Sequence, residues 1–181
     1  MAMNLPNKLT LARVIMIPLM MIFLLINHGW SRNIACLVFI VASLTDLLDG
    51  HLARKNNQIT NFGKIMDPLA DKLLVTAAMV ILVQLGDLPA WIVVIILARE
   101  FAVTGLRSVA AAEGIVIAAG IWGKWKTTFQ MIALVFLIAK PLTLAIFPFN
   151  IGMLFIYIAL ILTIYSGCDY FIKIGKKISW S

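Results

Sequence analysis

Six apolar stretches, each about 20 residues long, occupy most of this 181-residue chain. They cover residues 7–27, 34–54, 65–86, 89–110, 124–146 and 150–172. About 20 apolar residues cross the hydrocarbon core of a bilayer as one α-helix, because a helix satisfies its backbone hydrogen bonds internally. The sequence therefore predicts an all-α integral membrane bundle of six transmembrane helices. We expect residues 1–181 to form a single domain, in which the first stretch is a retained helix rather than a cleaved signal.

The charged residues predict the orientation of this bundle. Hydrophobic residues make up 62% of the chain and charged residues 13%, with a net charge of +7. The basic residues lie at helix ends and form no exposed stripe, which argues against a nucleic-acid partner. Most fall on one side of a six-helix threading: Lys8, Arg13, Arg54, Lys55, Lys64, Arg107, Lys124, Lys126, Lys173, Lys176 and Lys177. Because Arg32 and Lys140 alone fall toward the other side, we expect a multi-pass protein of the cell membrane with both termini cytoplasmic.

Four aspartates form a cluster in this apolar chain. Asp46 and Asp49 belong to the second predicted helix, and Asp67 and Asp71 to the third, together half of the eight acidic residues. Each carboxylate in a membrane helix costs about 2.5 to 3.5 kcal/mol on insertion scales, so the group needs compensating charge. A short cytoplasmic loop joins the two helices. The sequence therefore predicts that all four carboxylates face one cytoplasmic cavity.

Divalent metal ions would supply the compensating charge. Carboxylate oxygens suit Mg²⁺ or Mn²⁺, and two such ions balance four carboxylates. Gly50, Ala53 and Gly63 remove side-chain bulk beside the carboxylates, which leaves room for a bulky ligand. The alternatives are ion pairs within the membrane, with Arg54, Lys64 or Lys72 as partners, or an ion pathway. Ion pairs alone would not require small residues at these positions.

The spacing of these residues resembles a family signature. Residues 46–71 follow the pattern Asp-x-x-Asp-Gly-x-x-Ala-Arg-(x8)-Gly-x-x-x-Asp-x-x-x-Asp. This pattern is similar to that of the CDP-alcohol phosphotransferase family, and the six-helix layout resembles that family over nearly the whole chain. The resemblance implies a metal-dependent membrane transferase that assembles as a homodimer.

The resemblance also implies roles for individual residues. Asp46, Asp49 and Asp67 are expected to bind metal, and Asp71 to act as the general base and as a further ligand. The expected nucleotide-binding residues are Gly50, Ala53, Arg54 and Gly63. Metals at the diphosphate would stabilise the leaving CMP while a carboxylate takes the proton of the incoming hydroxyl.

Basic residues further along the chain predict a site for an anionic acceptor. Arg99 and Arg107 are about 80° apart around the fourth helix, and guanidinium groups match phosphate oxygens. Lys124 and Lys126 begin the fifth helix and could complete this acceptor phosphate site. The alternatives are an Arg99–Glu100 ion pair, an Arg107 side chain that extends to the membrane surface, and lysines that act as interfacial anchors.

Residues 99–107 together with residues 123–127 resemble one subgroup of the family, whose acceptor is glycerol-3-phosphate and whose product is phosphatidylglycerophosphate. The resemblance implies transfer of the phosphatidyl group from CDP-diacylglycerol to glycerol-3-phosphate, with release of CMP, as a step of phospholipid biosynthesis. Two alternatives remain open. The same chemistry could use phosphatidylglycerol, as in cardiolipin synthesis, or an inositol or serine headgroup, and the intramembrane carboxylates could instead serve a cation transporter.

Overall fold

The computed structural model describes residues 5–55, 61–112, 114 and 120–175, and these residues form seven α-helices and no strand. The helices are α1 (Leu5–Ile26), α2 (Gly29–Lys55), α3 (Asn61–Gln84), α4 (Ala90–Ala112), α5 (Ile121–Ile138), α6 (Lys140–Ile146) and α7 (Ile151–Gly175). Within them, the side chains of residues 5–8, 46–55, 61–65, 67, 68 and 173–175 lie outside the description. The all-α prediction is confirmed.

The fifth predicted segment, residues 124–146, is two helices rather than one. α5 and α6 meet at Ala139 with a bend of 88°. Pro141 lies in the first turn of α6. A proline lacks the amide hydrogen that would bond the carbonyl four residues earlier, and its ring clashes with that carbonyl, so a continuous helix through Leu137 and Pro141 is unfavourable.

The apolar character of the helices is uneven. In the described part of the chain, Leu9–Ile26 of α1 and Ile151–Ile172 of α7 are long and apolar enough to cross a membrane, and the bent pair α5 and α6 makes a third candidate. The charged residues of α3 and α4 interrupt their apolar runs. The protein is therefore an all-helical membrane protein with two or three candidate spans by length and composition.

The apolar core fills the part of the bundle remote from the aspartates. Its largest fully buried side chains include Phe39, Leu82, Ile92 and Leu134. α7 packs directly against α5, and a Cβ atom built on Gly152 would lie 2.8 Å from Cγ of Leu137. The small residue therefore allows the two helices to approach closely, as is common between membrane helices.

A buried arginine joins three chain segments at the end of the bundle opposite the aspartates. Arg32, near the start of α2, donates from Nε to the Ile138 carbonyl at 2.9 Å and from Nη2 to the Leu137 carbonyl at 2.7 Å. Its Nη1 lies 2.7 Å from Oδ2 of Asp87, which also pairs with Lys140. Arg32 therefore satisfies carbonyl groups at the α5–α6 bend and ties that bend to the α3–α4 turn.

Candidate active site

The aspartate segments lie at one end of the bundle. α2 carries Asp46, Asp49, Gly50, Ala53 and Arg54 in its last turns, and α3 carries Gly63, Asp67 and Asp71 in its first turns. Since α2 ends at Lys55 and α3 begins at Asn61, both segments belong to the same end. The connecting residues 56–60 are outside the described residues, as are all of these side chains except that of Asp71.

Asp71 lines a cavity of about 90 Å³ between α3, α4 and α5. The polar members of its lining are Asp71, Lys72, Thr76, Glu100, Lys126, Thr127 and Gln130. Lys126 is buried, forms an ion pair with Glu100, and also interacts electrostatically with Asp71. This first cavity is therefore lined by a buried lysine and by two carboxylates, one on α3 and one on α4.

A larger cavity of about 410 Å³ lies between α4, α5 and α7. Its lining includes Arg99, Arg107 and Lys124, three of the four predicted acceptor residues. Asp169 and Glu100 also line it. Three cations against two carboxylates leave an excess of positive charge, which favours an anionic ligand.

Arg99 lies among small residues of two neighbouring helices. A Cβ atom on Gly167 of α7 would lie 3.2 Å from Cγ of Arg99, and one on Gly123 of α5 would lie 3.7 Å from its Nη2. Nη2 donates to Oγ of Ser166 at 3.0 Å, and Nη1 lies 3.3 Å from Oε1 of Glu100. The Arg99–Glu100 ion pair, which the sequence offered as an alternative role of Arg99, is therefore present, and Arg99 also lines the second cavity.

Arg107 is held by the last helix. Its Nε donates to the hydroxyl of Tyr170 at 2.9 Å, and its guanidinium carbon lies 5.3 Å from the centre of the same ring. A cation above an aromatic face is attracted by the ring electrons, so Tyr170 fixes the direction of Arg107 in two ways. Lys124 is exposed at the start of α5 and lines the same cavity.

Lys126 lines a different cavity from Arg99, Arg107 and Lys124, although it shares the Glu100 carboxylate with Arg99. It lines the first cavity and not the second, and its ammonium group pairs with Glu100. Two residues along a helix correspond to a rotation of about 200°, so Lys124 and Lys126 point to different sides of α5. The sequence grouping of the two lysines did not take this rotation into account.

Sequence reasoning missed the contribution of α7. Ser166, Asp169 and Tyr170 line the second cavity, and they are three and four residues apart on one face. Polar groups in an otherwise apolar membrane helix are a functional signal. The aspartate in this last helix could therefore have been recognised from the sequence.

Among the described residues, no group of three or more potential metal ligands is present. Only one of the four signature aspartates, Asp71, belongs to the residues whose side chains that statement covers.

The all-helical fold and the adjoining charged cavities define the class of the molecule, an α-helical membrane protein with polar, charged cavities between its helices. The sequence model of the CDP-alcohol phosphatidyltransferase family matches residues 3–165. The chain therefore belongs to this family.

Individual relatives that match most of the chain have names more specific than that of the family. The CDP-diacylglycerol–glycerol-3-phosphate 3-phosphatidyltransferase of Bacillus subtilis is 48% identical, over 94% of this chain and 94% of its own. The enzyme of the same name from Rickettsia typhi is 41% identical, over 93% and 95% of the two chains. A probable phosphatidylglycerophosphate synthase of Mycobacterium tuberculosis is 39% identical, over 92% of this chain and 79% of its own.

Proposed function

We propose that this chain is an enzyme that transfers the phosphatidyl group of CDP-diacylglycerol to glycerol-3-phosphate, forming phosphatidylglycerophosphate and releasing CMP. The observation that carries the proposal is the second cavity, where Arg99, Arg107 and Lys124 meet beside the cavity that contains Asp71. The names of relatives that match nearly the whole chain support the same reaction.

The acceptor phosphate is assigned to the second cavity. Arginine forks bind phosphate oxygens in bidentate fashion, and lysine adds a point charge. Nε of Arg99 is buried and has no hydrogen-bond partner within the described part of the chain. Because buried N–H groups are normally paired, a phosphate oxygen is a suitable partner for this donor. Arg107 and Lys124 would bind the same phosphate from α4 and α5.

The divalent metal would be held by the four signature aspartates, Asp46, Asp49, Asp67 and Asp71. The site would bind two ions of Mg²⁺ or Mn²⁺. Carboxylate oxygens are the donors that these hard cations prefer. Lys72, one of the cations considered as an alternative partner of the aspartates, donates its ammonium group to the hydroxyl of Thr104 on α4.

The chain's own residues orient the reactants and move one proton. Bound metal would supply charge neutralisation at the diphosphate. Asp71 takes the proton of the acceptor hydroxyl. The hydroxyl oxygen bonds to the phosphorus of the phosphatidyl group, and the bond from that phosphorus to the CMP oxygen breaks. Gly50, Ala53, Gly63 and Arg54 accommodate the cytidine nucleotide on α2 and α3. Arg99, Arg107 and Lys124 bring the acceptor toward Asp71.

We propose six membrane spans in the cell membrane for this enzyme. α1, α2, α3, α4 and α7 each contain at least 22 residues, which gives a length of about 33 Å or more, enough to cross a bilayer core. α5 would form the remaining span, with α6 bent away from it at the outer surface. The Arg32 contacts support this threading, because they join the α3–α4 and α5–α6 connections at one end of the bundle. The active site and both termini would be cytoplasmic, and the protein would act as a homodimer.

An assay of the purified protein with radiolabelled glycerol-3-phosphate tests the proposal. We expect labelled lipid only when CDP-diacylglycerol and a divalent metal are present, with CMP formed in equal amount. Phosphatidylglycerol, inositol and serine serve as competing acceptors. Preference for one of these would move the assignment to another acceptor within the same chemistry. Cation flux into vesicles without any lipid product would instead support a transporter.

A further inference from the structure

Glu100 occupies the wall between the two cavities. Only Glu100 and Thr127 belong to the lining of both, among the residues that the structure describes. The Glu100 side chain is 26% exposed, and its backbone carbonyl accepts a hydrogen bond from the hydroxyl of Thr104 at 2.7 Å. Thr104 in turn accepts the hydrogen bond from Lys72. Glu100 is therefore tied to polar groups of α3, α4 and α5.

One carboxylate oxygen of Glu100 contacts two cations that serve different cavities. Oε1 pairs with the ammonium group of Lys126 and lies 3.3 Å from Nη1 of Arg99. The Lys126 side chain is 3% exposed and interacts electrostatically with Asp71 in the first cavity. Arg99 lines the second cavity and reaches Ser166. A single anion thus contacts one cation of each cavity.

The charge count of this cluster is informative. Glu100 supplies one negative charge against the two positive charges of Lys126 and Arg99. Asp71 also interacts electrostatically with Lys126, and Nε of Arg99 has no hydrogen-bond partner among the described residues. The shared carboxylate of Glu100 positions Lys126 and Arg99 relative to each other.

We infer that Glu100 is a positioning residue for the phosphatidyl transfer, which holds Lys126 against the general base Asp71 and Arg99 against the acceptor phosphate. This inference rests on the proposed function, because it takes from there the roles of Asp71 and Arg99. In this inference Lys126 acts beside the general base Asp71 rather than at the acceptor phosphate. A misplacement of about 1 Å in a reacting group costs on the order of 100-fold in rate, so the position of Lys126 matters to turnover.

Two single variants separate charge from shape. Glu100→Gln keeps the size of the side chain and removes its charge, while Glu100→Asp keeps the charge on a shorter stem. We expect Glu100→Gln to lower kcat by about tenfold to 100-fold and to raise KM for glycerol-3-phosphate, with KM for CDP-diacylglycerol nearly unchanged. Glu100→Asp should retain the larger part of kcat. A role in packing alone predicts the opposite order, because glutamine preserves the shape better than aspartate does.

A double variant separates position from stability. Glu100→Gln combined with Lys126→Met removes one negative and one positive charge, so the net charge of the cluster stays the same and the buried lysine is not left without its carboxylate. We expect this protein to melt close to the wild type in detergent and still to show a kcat lowered at least tenfold. Lys140→Gln is the matched control, since it breaks an ion pair with Asp87 at the opposite end of the bundle. Its kcat and both KM values should equal those of the wild type.

Wild-type turnover in the double variant, or an unchanged kcat in Glu100→Gln, would overturn the inference. The failure of the proposed function has a different signature, because it appears in the wild type as preference for another acceptor. The Glu100 series is then measured with that preferred acceptor, and the order of the glutamine and aspartate variants still decides the positioning role.

Discussion

Asp71 is the signature aspartate whose side chain the structure describes, and it faces a cavity that it shares with Lys126 and Glu100. We expect Asp71→Asn to lower kcat by about 10²- to 10⁴-fold, because asparagine keeps the shape but cannot accept the proton. KM for CDP-diacylglycerol should change far less. Steady-state kinetics with both substrates varied measure the two effects. Near-normal turnover in this variant would assign the proton to another group.

The metal assignment is tested at Asp46, Asp49 and Asp67. Replacement of any one by alanine should abolish turnover in a protein that stays folded, because the remaining carboxylates lose a ligand partner and hold metal poorly. Incubation with EDTA should have the same effect, and added Mg²⁺ or Mn²⁺ should reverse it. Calorimetric titration of the metal provides a readout besides activity. Full activity after chelation would contradict the metal role.

Acceptor specificity is tested at Arg107 and Lys124. Arg107→Ala or Lys124→Ala should raise KM for glycerol-3-phosphate tenfold or more, because each removes a charge-assisted contact of about 1.5 to 3 kcal/mol. Tyr170→Phe should raise it less, since the ring still lies under the guanidinium but no longer accepts its hydrogen bond. Glycerol lacks the phosphate and is the control acceptor, whose poor use should hardly change. An unchanged KM in both charge variants would place the phosphate elsewhere.

The residues show why only part of the site was predictable. The clustering of the four aspartates stays a prediction, because the side chains of Asp46, Asp49 and Asp67 lie outside the described residues. Arg99 and Arg107 line one cavity, as expected of residues that are about 80° apart around one helix. The pairing of Lys126 with Glu100 was not predictable, because it depends on how α4 and α5 are rotated toward each other. The same holds for Ser166 and Tyr170 on α7, which are distant from Arg99 and Arg107 in sequence.

At the scale of elements, the apolar runs predicted the helices well. The expected stretch 89–110 corresponds to α4 at Ala90–Ala112, and the stretch 150–172 to α7 at Ile151–Gly175. The glycine, proline and polar residues that separate the apolar runs also end the helices, which explains the agreement. The break at Ala139 escaped the prediction, because the residues on both sides of it are apolar and hydropathy does not record the steric effect of Pro141.

The contact of α5 and α7 gives a prediction about packing. A Cβ atom on Gly152 would lie 2.8 Å from Cγ and 3.0 Å from the backbone nitrogen of Leu137, so the helices must move apart. We expect Gly152→Ala to destabilise the protein by about 1 to 3 kcal/mol, as overpacking does. Gly105→Ala is the matched control, because nothing lies within 4 Å of its added Cβ atom. Thermal unfolding in detergent compares the two, and equal melting temperatures would contradict the close approach.

At the scale of the whole molecule, Arg32 connects segments that are distant along the chain. Arg32→Met would leave Asp87 with Lys140 as its remaining cation and two backbone carbonyls without their donor. We expect a loss of about 3 to 5 kcal/mol, which is typical when one partner of a buried ion pair is removed. Chemical denaturation followed by tryptophan fluorescence measures it. Lys140→Gln, which leaves the Arg32–Asp87 pair intact, should cost clearly less, and similar losses in both would argue against the central role of Arg32.

The bend at Ala139 also bears on how deeply the protein sits in its membrane. α5 has 18 residues and is about 27 Å long, slightly less than the roughly 30 Å of a bilayer core. In the proposed orientation α6 then turns nearly parallel to the membrane surface, where Leu142, Leu144 and Ile146 are exposed. A short helix in this position resembles an interfacial anchor. Such an anchor compensates for a span that is shorter than the thickness of the bilayer core. The outer leaflet would thereby help to set the height of the active site at the opposite face, where a water-soluble acceptor must meet a lipid headgroup.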